Sequence, residues 1–125
     1  MIYTSYFAKL NKLPDSLYSV SISLTQPKGL NNLMRLTLFM PTWDILNEFK
    51  KTGDTEKYTQ EFCEQILNDN SQKEVVEYLY SLSKGKDIVL LCYESPEKFC
   101  HRHLVAEWLR KGGYECKEYN EKESL

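Results

Sequence analysis

The chain has 125 residues, 42% of them hydrophobic and 27% charged, with only 5 Gly and 4 Pro. This balance excludes disordered, collagen-like and low-complexity classes, and the length suits one domain that buries roughly two thirds of its unfolded surface. A formal net charge of −2 and a pI near 5.7 exclude a generally basic nucleic-acid binder.

The opening stretch, MIYTSYFAKLNKLP, has no charged segment leading into a continuous apolar one, so no signal peptide is expected. The longest strongly apolar runs, Leu36–Met40 and Ile88–Tyr93, fall far short of the ~20 residues a membrane helix needs. Cys63, Cys92, Cys100 and Cys116 are widely spread in such a chain, which predicts reduced thiols and a cytoplasmic setting. Cys63 and Cys116 lie within apolar patterns and read as core residues.

Residues 1–8 predict a short strand, with Thr4, Ser5 and Tyr6 toward its end, and a break follows over Asn11–Asp15. Tyr18, Val20, Ile22 and Leu24 then alternate with Ser19, Ser21, Ser23 and Thr25, the period-two spacing of a strand. Gln26-Pro27-Lys28-Gly29 ends it, because Pro lacks a donor and Gly permits a turn. Leu30–Met40 fits a helix or a buried strand equally. Pro41-Thr42-Trp43-Asp44 opens a helix whose apolar face is Ile45, Leu46 and Phe49, and Lys50–Asp54 reads as a loop.

A helix is predicted from Thr55, its N-cap, to Asn68, with Tyr58, Phe62, Ile66 and Leu67 along one stripe. Ser71 opens the next, with Glu74 completing a capping box, and Gly85 stops it. The run Ile88–Tyr93 suits a strand covered on both faces. A loop over Glu94–Phe99 leads to a helix from about Cys100 to Lys111, closed by Gly112-Gly113. A last strand, Tyr114–Tyr119, precedes a polar tail from about residue 120.

The final strand–helix–strand unit spans about thirty residues, so its strands should be parallel with a right-handed crossover. The expected fold is therefore one α/β domain over residues 1–125, with a mostly parallel central sheet flanked by helices. Residues 1–52 carry 6 basic and 3 acidic groups, and residues 53–125 carry 10 and 15. This asymmetry suits solvated helix faces rather than a binding tail.

The chain holds only 2 histidines, and both flank an arginine in His101-Arg102-His103, directly after Cys100. A helix start presents unpaired N–H groups and about half a positive charge. A guanidinium beside it makes a receptor for phosphate or carboxylate, at the carboxyl edge where open α/β sheets bind ligands. At about 100° per residue, His101 and Arg102 lie toward the face defined by Leu104, Val105, Trp108 and Leu109, and His103 points to solvent.

Cys92 and Glu94 close the strand that feeds this turn. A thiol near a helix N-terminus and an Arg is a nucleophile, and a carboxylate there serves as general base or sugar-hydroxyl acceptor. The same residues also read structurally: Cys92 as a small core residue, His101 as a satisfied buried imidazole, and Arg102 as a partner of Glu94 or Glu97. A phosphatase loop fails on spacing, since Lys98 stands five residues after Cys92 plus one. No metal or cofactor is expected, because neighbouring residues seldom face one ion and no CxxC, P-loop or GxGxxG is present.

Leu90-Leu91-Cys92-Tyr93-Glu94, then Cys100-His101-Arg102, then Leu104–Leu109 resemble the bacterial and phage family called domain of unknown function 488. Its signature is L-L-C-x-E, a short loop, and C-H-R opening a helix. Phe49-Lys50-Lys51-Thr52-Gly53 followed by Tyr58 is similar to the family's Y-K-x-G…Y segment. Many members carry a D-x-R-type element after the second strand, where this chain reads Ser21–Pro27 with Lys28 as the nearest cation. The resemblance implies a compact α/β fold with a shared site.

The function expected is binding or processing of a small anionic ligand, a nucleotide or phosphorylated metabolite. Arg102, Cys92, Thr4, Ser5, Ser23 and Lys28 would bind it, and Cys100, His101 and Glu94 would carry any catalysis. Two alternatives stand beside it. One is a non-catalytic interaction module with a structural Cys/Glu/His/Arg network; the other is a nucleic-acid-associated protein of a phage or mobile element, its tyrosines stacking on bases.

Overall fold

A computed structural model describes residues 1–29, 33–93 and 99–120. Among these residues, five strands form one sheet: β1 (Ile2–Tyr6), β2 (Leu17–Ser21), β3 (Met34–Arg35), β4 (Asp87–Cys92) and β5 (Cys116–Glu118). Their order is β3-β2-β4-β1-β5, and every pairing is parallel. Among the described residues, four α-helices accompany them: α1 (Trp43–Thr52), α2 (Thr55–Phe62), α3 (Gln72–Ser83) and α4 (His101–Lys111). The fold is α/β with a parallel central sheet, as the strand–helix–strand reading requires.

β4 is apolar from Ile88 onward because both of its faces are covered there. Ile88, Leu90 and Cys92 join the larger core with Val20, Ile22, Phe62, Leu79 and Leu109, whereas Val89 and Leu91 pack with Phe7 on the other side. Alternation along β1 divides its residues in the same way, Thr4 sharing the first face and Ser5 the second. Strands β4 and β5 are parallel but not neighbours: β1 lies between them, so α4 crosses over β1.

Several boundaries differ from the sequence reading. The first strand stops at Tyr6, and Phe7–Lys12 turns into a 3₁₀ segment that brings Phe7 over Val89 and Leu91. The second ends at Ser21, although Ile22 N–H still reaches Leu91 O at 3.0 Å. The ambiguous stretch 30–40, of which 30–32 lie outside the described residues, yields only β3 and a 3₁₀ turn over Thr37–Phe39.

The predicted loop from Lys50 is mostly helix. α1 continues to Thr52 and ends on Gly53 in the left-handed region, with φ 68°. Asp54, rather than Thr55, caps α2, its carboxylate accepting from Lys57 N–H at 3.1 Å. A carboxylate serves better there, being an anion at a positive helix end. A wider π-type turn then carries α2 on through Leu67, and Ser71 caps α3 by accepting from Glu74 N–H. The last strand contracts to Cys116–Glu118, because it pairs only with Ile2–Thr4. The expected loop Glu94–Phe99 before residue 99 and the polar tail beyond 120 lie outside the described residues. Among the described residues no helix is long and apolar enough to cross a membrane.

Candidate functional site

The carboxyl ends of β2 and β4, the start of α4 and one face of α1 and α2 enclose a cavity of about 330 Å³. Ser23, Leu24 and Thr25 follow β2, while Cys92 and Tyr93 end β4. Pro41, Leu46, Phe49 and Lys50 come from α1 and its approach, Tyr58 from α2, and Phe99, Cys100 and His101 from the α4 entry. Phe49, Tyr58 and Phe99 form a mutual aromatic cluster with ring centroids 5.2–5.3 Å apart. Burial holds the Tyr58 phenol above the ordinary tyrosine range, so its hydroxyl stays a donor.

Cys100 is the N-cap of α4 in an extended conformation, φ −151° and ψ 143°, and His101 is the first helical residue. This change of backbone between adjacent residues turns both side chains toward the end of β4. Cys92 and Cys100 are joined as a disulfide, with Cα atoms 7.5 Å apart. That corrects the expectation of four reduced thiols; Cys63 and Cys116 are free. Cys116 is buried in the core, whereas Cys63 is half-buried at its edge.

His101 is 7% exposed, and its Nε2 lies 2.6 Å from the carbonyl of Ile22. A carbonyl only accepts, so Nε2 carries the proton and the Nδ1 lone pair faces Cys100 Sγ at 3.9 Å. Burial pushes the imidazole down to about 4, against the raising effect of that hydrogen bond and with help from the Arg102 charge. A neutral, tautomer-fixed ring results.

Arg102 is fully buried and does not line the cavity. Its Nε and Nη2 donate to the two oxygens of Glu118 at 3.1 and 3.0 Å, and Nη1 donates to Cys92 Sγ at 3.0 Å. Thr4 Oγ1 donates to the same Glu118 at 2.7 Å, and the guanidinium lies 5.5 Å from the Tyr6 ring centre. The arginine thus fastens β1, β5, β4 and α4 together behind the cavity.

Of the residues singled out in the sequence, Ser23, Cys92, Cys100 and His101 meet in the cavity wall. Thr4 joins the Glu118 network, and Ser5 is buried beneath the opposite face of β1. Lys28 is exposed and does not line the cavity, and Glu94 lies outside the described residues. His103, expected in solvent, is half-buried, its Nε2 shielded and without a partner among the described residues. The helix passes over β1 and β5 here, which covers a position that an isolated wheel leaves open.

Lys50, Phe49, Tyr58 and Glu118 join the site or its supporting network without being among the site residues expected from the sequence. The first three belong to the segment compared with the family's Y-K-x-G…Y pattern, and that comparison was the available signal. For Glu118, the signal was period two from core Cys116: a carboxylate on the inner face of the last strand requires a cation, and Arg102 stands opposite.

Fold and pocket together define a parallel α/β protein with a cavity at the carboxyl edge of its sheet, floored by two cysteines and a neutral histidine. The chain belongs to the DUF488 family: the family model described as DUF488-N3a, Active DUF488-N3 subclade, matches residues 6–113. No curated protein and no solved structure matches the chain significantly.

Proposed function

We propose that the cavity binds a small anionic ligand of the nucleotide or phosphorylated-metabolite class. The observation that carries this reading is an aromatic-walled cavity of about 330 Å³ with Lys50 among its lining residues. Its volume lies within the roughly 300–1,000 Å³ of small-molecule sites. A flat ring packs against Phe49, Tyr58 and Phe99, and the anionic group turns to Lys50 and the N–H groups opening α4. Ser23 and the protonated Tyr58 hydroxyl supply hydrogen bonds. With the disulfide reduced and no metal bound, Cys100 is the nucleophile and His101 Nδ1 the base of any covalent step.

This reading moves the anion contact from Arg102 to Lys50, because the guanidinium is engaged by Glu118. The Thr4–Glu118–Arg102 network favours the structural alternative for that half of the motif, and the binding reading stands on the cavity half. A thermal-shift screen of nucleotides, sugar phosphates and simple oxyanions tests it against wild type and Lys50→Gln. A ligand at 100 times its dissociation constant stabilises by about 2.7 kcal/mol, and Lys50→Gln weakens it about tenfold with no change in the unliganded melting temperature. Failure of every ligand to shift wild type, or equal binding by Lys50→Gln, overturns the proposal.

A further inference from the structure

Cys92, Cys100 and His101 are all buried, and one ligating atom from each lies within 4.8 Å of the other two. Neighbouring residues seldom face one ion, which is why the sequence alone predicts no metal here. The extended N-cap geometry of Cys100 removes that objection, since it aims Cys100 and His101 at the same point. Tetrahedral zinc, with Zn–S near 2.3 Å and Zn–N near 2.0–2.1 Å, places its donor atoms about 3.5–3.8 Å from one another. The 3.9 Å between His101 Nδ1 and Cys100 Sγ fits that spacing. The cysteine Cα atoms, 7.5 Å apart, stand wider than the ~4.4–6.8 Å usual across a disulfide and within reach of two thiolates sharing an ion.

The surroundings also suit a metal. His101 donates its other ring N–H to a backbone carbonyl, as metal-bound histidines do, which leaves Nδ1 free to ligate. Arg102 Nη1 donates to Cys92 Sγ and so supports a thiolate there. The two thiolates balance the ion's double charge and the imidazole is neutral, so the three ligands and the ion together carry no net charge. The three side chains also line the cavity, which leaves a fourth coordination position open to it.

We propose that, with the Cys92–Cys100 disulfide reduced, Cys92 Sγ, Cys100 Sγ and His101 Nδ1 bind one Zn²⁺ whose fourth position faces the cavity. Reduction by an external dithiol transfers two electrons and two protons, giving two cysteine thiols and the reductant's own disulfide. Zinc binding then releases both thiol protons. The two states exclude each other: an external disulfide that takes the pair's two electrons, and leaves as its own two thiols, reforms Cys92–Cys100 and expels the ion. This proposal does not rest on the ligand reading, because it concerns the floor of the cavity and not what the cavity holds.

The test is Co²⁺ titration of the reduced full chain without oxygen, with Zn²⁺ as competitor. One equivalent should produce a thiolate-to-cobalt charge-transfer band and the intense visible bands of a tetrahedral site, both abolished by Zn²⁺. Cys92→Ser and Cys100→Ser should lose the charge-transfer intensity of one thiolate, whereas Cys63→Ser keeps it in full. His101→Gln should retain the band with at least about tenfold weaker affinity. Reduced wild type that stays folded by circular dichroism and shows no band at stoichiometric Co²⁺ overturns the proposal, and this readout needs no variant. A band that follows Cys63→Ser instead of Cys100→Ser overturns it equally.

Discussion

Arg102 shows how one residue type carries different meanings in the chain and in the fold. Beside a helix start a guanidinium suggests an anion receptor, yet here its fork closes on Glu118 and its remaining nitrogen on Cys92. Removing one member of a buried pair costs about 3–5 kcal/mol, and the partial exposure of Glu118, 28%, lets water recover some of it. Arg102→Ala should therefore lower stability by about 3 kcal/mol. Arg102→Lys should recover less than half, because an ammonium cannot form both parallel bonds. Urea melts of these variants, with Glu118→Gln to close a double-mutant cycle, measure it. A loss below about 1 kcal/mol would show that the pair holds nothing together.

Among the helices, the end of α4 sets a limit on sequence change. Gly112 has φ −83°, a conformation open to any residue, so its backbone does not require glycine. A Cβ at that position would lie 2.5 Å from Gln72 Cγ and 2.6 Å from Gln72 Cβ, since the start of α3 packs against the α4 terminus. Gln72 Nε2 also donates to the Trp108 carbonyl at 3.3 Å. Gly112→Ala should cost about 1–3 kcal/mol by overpacking. Adding Gln72→Ala should not restore stability, because the Cβ contact survives truncation. Full rescue in thermal melts would mean that the flexible end of Gln72, rather than the helix approach, sets the limit.

The molecule as a whole should resist mild alkali and then fail. Burial pushes the Cys116 thiol up to about 11 from 9.0, and burial likewise raises Tyr58, Tyr80 and Cys63. For an acid whose folded pKa is raised, the folded state keeps the proton after the unfolded chain has lost it. Its contribution is complete below the unfolded value and disappears as pH rises through the folded one. Stability should be level to about pH 9 and fall above it, Cys116 alone accounting for about 2–3 kcal/mol by about pH 11. Urea melts at about pH 8 and about pH 10.5 follow the decline, which Cys116→Ala should make shallower. An equal slope in that variant would assign the loss to other groups.

The local chemistry of the chain was enough to determine most elements. Apolar Ile88–Tyr93 specified a strand covered on both sides, which ends one residue earlier at Cys92; Thr42 and Ser71 marked helix starts, and Cys100-His101-Arg102 opened α4 beside that strand. These are short-range signals, written in periodicity and capping within a few residues. Strand order and side-chain partnership are long-range, and only the tertiary structure decided them. Insertion of β1 between β4 and β5 brought Thr4 and Glu118 to Arg102 and took the guanidinium out of the cavity. The packing of α1 and α2 against the sheet edge placed Lys50 and Tyr58 in the cavity wall, more than thirty residues from the motif they face. No spacing rule within one segment encodes such a meeting, because its geometry is set by the register of strands that are distant in sequence.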